Sequence, residues 1–166
     1  MGDMHGVSKD SDVLAERDRI INTPIDNLVN TDSVVMRELT KLYGDFMAVS
    51  QLSIGIPLGQ CFGLLGVNGA GKTTSFKMLT GDIKATYGNA YIQGYSVSED
   101  MRKVQQHVGY CPQFDAIIDQ MTVRETLRMF ACLRGIVEKD RRQVVDTLID
   151  RLMLVNHAGK QVGNLR

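Results

Sequence analysis

Gly66-Val67-Asn68-Gly69-Ala70-Gly71-Lys72-Thr73, with Thr74 behind it, is the stretch on which the reading of this chain turns. It is the phosphate-cradling P-loop pattern. The apolar run Cys61-Phe62-Gly63-Leu64-Leu65 leads into it and reads as a buried parallel strand. Lys72 to Leu79 leads out and reads as a helix. Strand, glycine loop and helix in that order is the context that makes the pattern a site.

The residue types suit a polyphosphate, whose charges need many donors at short range. Glycines at 66, 69 and 71 let the backbone wrap close, with N–H groups pointing inward. A helix starting near Gly71 adds its positive N-terminal end. Lys72 supplies a point charge for the outer phosphates. Thr73 offers a hydroxyl to Mg²⁺, which prefers oxygen ligands and keeps several waters. Thr74 can add a hydroxyl or an N–H toward an inner phosphate. The plain alternative is a glycine-rich turn with a solvated lysine; the flanking apolar run and helix argue against it.

Outside this stretch the composition is that of an average globular chain, with 43% hydrophobic and 23% charged residues in 166. Lys plus Arg (19) cancel Asp plus Glu (19), so no basic surplus points to nucleic acid and anion binding must be local. Cys61, Cys111 and Cys132 lack metal-type spacing and read as buried free thiols of a reducing compartment. No apolar stretch approaches the ~18 residues needed to span a bilayer, and the N-terminus has no apolar signal core. The expectation from these features is a soluble, intracellular chain.

Residues 1–31 are polar and charge-rich and read as a linker or mobile arm, with a short helix around Val13–Ile21 ended by Pro24. Ordered structure is expected over 32–166. Val34–Leu39 and Val49–Ile56 read as strands, Asn89–Gln93 as a short one, and Val108–Cys111 as another stopped by Pro112. Ser98 to His107 reads as a helix with Ser98 as N-cap. Thr122-Val-Arg-Glu125 is a capping box, Gly135 closes the helix it opens, and Glu138–Leu154 is amphipathic. The expected fold class is α/β: a P-loop core with an antiparallel β accessory layer and helices toward the C-terminus.

Three blocks carry a family resemblance. Gly66–Thr74 followed by Phe76-Lys77-Met78-Leu79-Thr80-Gly81-Asp82 resembles the ATP-binding cassette of ABC transporters. Gly109-Tyr110-Cys111-Pro112-Gln113-Phe114-Asp115-Ala116 is similar to the Q-loop of that family, and Glu16–Ile20 resembles the linker before its second cassette. Together they look closest to the second nucleotide-binding domain of the A-subfamily, the lipid-moving branch. The resemblance covers about Asp12 to Arg166.

It implies a P-loop NTPase fold of ABC ATPase type with part of a helical subdomain, and ATP and Mg²⁺ as ligands. Tyr43 matches the aromatic residue that stacks on adenine; otherwise it covers a strand end. Gly66, Asn68, Gly69, Ala70, Gly71, Lys72, Thr73 and Thr74 match the phosphate-binding residues. Gln113 matches the glutamine that reaches Mg²⁺ and the attacking water and signals to the membrane part. Thr122 to Leu154 matches the subdomain that contacts transmembrane domains, where Met129 and Phe130 either pack in the core or face that partner. A second nucleotide-binding domain and the cytoplasmic face of a membrane are implied likewise. His5, His107 and His157 match no family histidine and are isolated from each other.

The sequence departs from the family pattern in what it lacks. It holds no Leu-Ser-Gly-Gly-type signature, no apolar strand ending in Asp-Glu, and no switch histidine. Those carboxylates would support Mg²⁺ and orient water. The C-terminally incomplete pattern implies a chain that binds nucleotide without hydrolysing it alone, and that is poorly soluble or partly open. The alternatives are a non-catalytic ATP-binding fragment or splice form, or another P-loop NTPase. A GTPase is disfavoured by the absence of Asn-Lys-x-Asp and of Asp-x-x-Gly after the loop.

Overall fold

Strands β1 (Asp32–Tyr43) and β2 (Phe46–Pro57) run antiparallel through a turn at Gly44-Asp45. In the computed structural model, which describes residues 11–113 and 117–165, they form a four-stranded antiparallel sheet with β3 (Tyr87–Ile92) and β4 (Tyr95–Ser96), ordered β2-β1-β3-β4. The chain divides into two units, one ending at Tyr110 and the other beginning at Cys111.

In the first unit both faces of the sheet are covered. Alternation along β1 sends Val35 to one side and Met36 to the other. Met36, Leu39, Val49 and Ala90 pack with Met78 of α3 (Lys72–Leu79). On the opposite face Val35 packs with Ile20 of α1 (Ser11–Asn22) and Leu28 of α2 (Ile25–Thr31), all three essentially inaccessible to solvent. A further helix, α4 (Met101–His107), lies beside β4, with Tyr95 and His107 stacked at 5.2 Å.

The expected arm therefore behaves otherwise over 11–31. The helix foreseen near Val13–Ile21 is present, and it is bolted to the sheet. The Arg19 guanidinium donates two hydrogen bonds to Asp32, each 3.0 Å, and two to Glu16, at 2.8 and 2.9 Å. Glu16 also accepts the Gly55 N–H of β2 at 2.8 Å. Arg37 reaches across from β1 and donates to the carbonyls of Ile20 (2.7 Å) and Thr23. The Arg19 hydrogen bond, with that of Gly55, holds the Glu16 carboxyl below its ordinary range against the opposing effect of burial. Burial pushes the Asp32 carboxyl up, but the hydrogen bonds from Arg19 and Thr31 outweigh it and the net shift is down.

The second unit is a helix pair, α5 (Val123–Leu133) and α6 (Glu138–Arg151), closed over Ala131, Val145 and Ile149. Arg128 pairs with Glu138 at 2.7 Å and Arg124 with Asp146 across the two helices. The capping box is formed as read: Thr122 Oγ1 accepts the Glu125 N–H at 3.2 Å, and Glu125 Oε2 accepts the Thr122 N–H at 2.8 Å. Thr122→Ala is expected to lower stability by about 1 kcal/mol, seen as a fall in the urea midpoint of the helical signal. Phe130 is exposed and Met129 half-buried, so only the latter is partly taken up in packing.

Several local expectations change. Cys61–Leu65 has no regular secondary structure and joins no ladder among the described residues, and Leu65 is 91% exposed. An apolar run becomes a buried strand only where neighbouring backbones pair with it. Its thiol is accordingly exposed, as are those of Cys111 and Cys132. Val108–Cys111 is likewise not a strand. The helix expected from Ser98 starts at Met101 with Asp100 at its N-cap, and the Ser98 hydroxyl lies instead 3.0 Å from that of Ser96. Among the described residues no helix is long and apolar enough to cross a membrane, and no group of three or more metal-ligating side chains occurs.

Candidate functional site

The glycine loop runs from the irregular segment Cys61–Leu65 into α3 with its turn at Asn68 and Gly69. The Ala70 N–H donates to Val67 O at 3.2 Å and closes that turn. Gly71 then takes the N-cap position of α3 in the left-handed region, φ 84°. Glycine is required there twice over. Its φ disfavours a side chain, and a Cβ would stand 2.4 Å from Ala48 O of β2. The close approach seats the loop against the β1–β2 hairpin.

A helix normally begins with a side-chain oxygen capping its first amides. Here no side chain caps α3. Its first-turn N–H groups, from Lys72 to Thr74, are therefore left for an external acceptor, and the helix end presents partial positive charge. The next turn is fixed from behind: buried Ser75 donates both its N–H (2.9 Å) and its hydroxyl (3.1 Å) to Gly71 O. The Lys72 ammonium folds back over the loop and donates to Gly66 O at 2.6 Å and Val67 O at 2.8 Å. The strongest local cation is thus already held at the mouth of the loop. Thr73 is exposed and Thr74 half-buried.

Tyr43 ends β1 in the same unit, 48% exposed, with the Lys41 ammonium 5.2 Å from its ring centroid. Lys41 also donates to Lys84 O at 2.7 Å, which ties it beside β3. Sequence reasoning missed Lys41, and it missed Ala48 as the backing of Gly71; only a lysine two residues before an aromatic could have hinted at the first. Gln113 is exposed in the second unit, while Phe114, Asp115 and Ala116 of the same run lie outside the described residues.

A loop of this geometry, leading into an uncapped helix beside an antiparallel hairpin, defines a P-loop nucleotide-binding fold. Residues 49–165 match the family described as "ABC transporter". The chain is 48% identical over 163 residues to "ATP-binding cassette sub-family A member 2" of Rattus norvegicus, covering 95% of this chain and 6% of that protein. It is 48% identical over 157 residues to "Phospholipid-transporting ATPase ABCA3" of Homo sapiens, covering 93% of this chain and 9% of that protein. Among solved structures, cbiO1 of Clostridium perfringens, part of an ABC transporter complex, superposes with a TM-score of 0.68 at 23% identity, over 79% of this chain and 54% of that one. A nucleotide-free ATP-binding cassette from an ABC transporter gives 0.67 at 22%, over 81% and 59%. This chain belongs to the ABC transporter family and has the fold of its ATPase domains. It spans less than a tenth of the length of those relatives and a little over half of those solved chains.

Proposed function

We propose that this chain is the ATP-binding part of an ABC transporter ATPase domain. In the whole protein, ATP binding and hydrolysis would be coupled to transport, with phospholipid as the substrate class suggested by relatives named phospholipid-transporting ATPases. The observation that carries the reading is the uncapped start of α3 facing a glycine loop with Lys72 folded across it.

In this reading the amides of Gly66, Asn68, Gly69, Ala70 and Gly71 wrap the phosphates, while Lys72 neutralises the outer ones. Thr74 reaches an inner phosphate. Thr73 and Gln113 hold Mg²⁺, which would neutralise phosphate charge. The ring of Tyr43 stacks on adenine, a contact that tolerates any flat base face. Gln113 belongs to a separate unit, which suits its proposed part as a messenger between nucleotide and membrane. The partners are then ATP, the transmembrane domains and a second nucleotide-binding domain, at the cytoplasmic face of a membrane.

Isothermal calorimetry with MgATP tests the reading. Saturable heat is expected from the 166-residue chain. Folded protein that gives no heat with MgATP would overturn it.

A further inference from the structure

Met36 and Leu39 belong to one core cluster, although they are three residues apart on one strand. Side chains of a regular strand alternate, so an odd spacing cannot keep to one face. The register shows what intervenes. Met36 pairs with Ile54 and Leu39 with Leu52; on the other flank Arg37 pairs with Asn89 and Thr40 with Tyr87. β1 carries one extra residue against both neighbours. It centres on Glu38, whose φ is +50°. This is a bulge, and a bulge inverts the phase of everything after it.

The inversion decides where Tyr43 lies. Before the bulge, Val35 and Arg37 face α1 and α2. With unbroken alternation Tyr43 would share their face. With Glu38 inserted, Leu39, Lys41 and Tyr43 fall on the face that carries Met78 and the P-loop helix. The later irregularities between β1 and β2 add residues to β2, not to β1, so the phase holds through Tyr43.

The bulge is also pinned. Thr40 is 5% exposed; its hydroxyl donates to Glu38 O at 2.9 Å and accepts the Gln51 N–H at 3.0 Å. Gln51, φ +45°, is the matching irregularity of β2. The Ser53 hydroxyl accepts the Glu38 N–H at 3.0 Å. On the third strand a Cβ at Gly88 would stand 2.2 Å from Glu38 O, so only glycine admits the crease.

We propose that the Glu38 bulge, locked by the Thr40 hydroxyl, is the device that sets Tyr43 on the P-loop face of the sheet, and that Thr40 is a positioning residue for the base end of the nucleotide. The proposal rests on the adenine role of Tyr43 given above. Thr40 touches no ligand; it acts through the course of β1 on the base and leaves the phosphate loop alone.

The test compares MgATP with magnesium tripolyphosphate, which lacks a base, by calorimetry on the 166-residue chain. Thr40→Val, near-isosteric but without the hydroxyl, is expected to weaken MgATP about tenfold and to leave tripolyphosphate within about twofold. Thr40→Ser returns the hydroxyl and should recover most of the ATP affinity. In a Tyr43→Ala background, already weakened about tenfold, Thr40→Val should cost nothing further. Equal losses for both ligands would make Thr40 a general structural residue and overturn the proposal. So would unchanged ATP affinity in Thr40→Val, or failure of Thr40→Ser to recover it. Unchanged ATP affinity in Tyr43→Ala would instead remove the adenine contact itself, and the proposal with it.

Discussion

Lys72→Ala is expected to weaken MgATP binding roughly a hundredfold, against a few-fold for Thr74→Ala. A unit charge pair at ~4 Å is worth about 4 kcal/mol in a surface-like dielectric. Against that gain stands the surrender of two charged hydrogen bonds, those from Lys72 Nζ to Gly66 O and Val67 O. Their loss is softened because the same carbonyls can turn to water. A net of about 3 kcal/mol corresponds to about two decades of affinity. Thr74 offers a neutral contact of about 1 kcal/mol. Titration of both variants with a fluorescent ATP analogue distinguishes them; equal losses would remove the lysine from its assigned place. The folded-back ammonium makes the contrast sharper, since it is held beside the loop before ligand arrives and little ordering remains to be done.

Asp32→Asn is expected to produce the largest loss of stability in the first unit, about 3 kcal/mol at neutral pH. Asp32 is 2% exposed and holds both oxygens to the Arg19 guanidinium. Breaking one partner of a buried pair leaves the other uncompensated, which costs about 3–5 kcal/mol; the lower end applies because Arg19 remains 38% exposed. The pH dependence has a definite sign. Both Glu16 and Asp32 have carboxyls lowered in the folded state. Their contribution is full above the unfolded carboxylate range, near pH 4, and is lost as pH falls through the lower folded values. Urea melts followed from pH 7 downward should therefore show the wild type converging on Asp32→Asn only in acid. A gap that stays constant through the whole acid limb would detach this stability from the ionised Asp32.

Local chemistry accounts for what could be read directly from the residues. The loop, α3 and the Thr122–Glu125 cap each depend on a few neighbours in sequence, so spacing alone exposes them. The first half of β1 and the later part of β2 were visible because β-branched residues recur there, Val34 and Val35 in one and Val49, Ile54 and Ile56 in the other. What escaped depends on distant partners. Ile20 and Leu28 sit in short apolar pairs, Ile20-Ile21 and Leu28-Val29, within a charge-rich stretch, and only the sheet face they meet gives them meaning. Cys61–Leu65 carries the composition of a core strand, yet pairing is a property of two backbones. Glu38 looks like an ordinary strand residue; the spacing of Met36 and Leu39 was the one clue that β1 changes phase. For the candidate site, the proposed phosphate-binding residues and Tyr43 belong to one unit, while Gln113 is carried by the other.

The accessible sulfur of Cys61 offers a practical opening. It lies five positions ahead of Gly66, on an irregular approach whose side chains stand largely in water. A maleimide dye placed there, with Cys111 and Cys132 replaced by serine, would give an optical reporter of nucleotide arrival close to the loop. Unprotected by reductant, the same atom would crosslink purified samples in air.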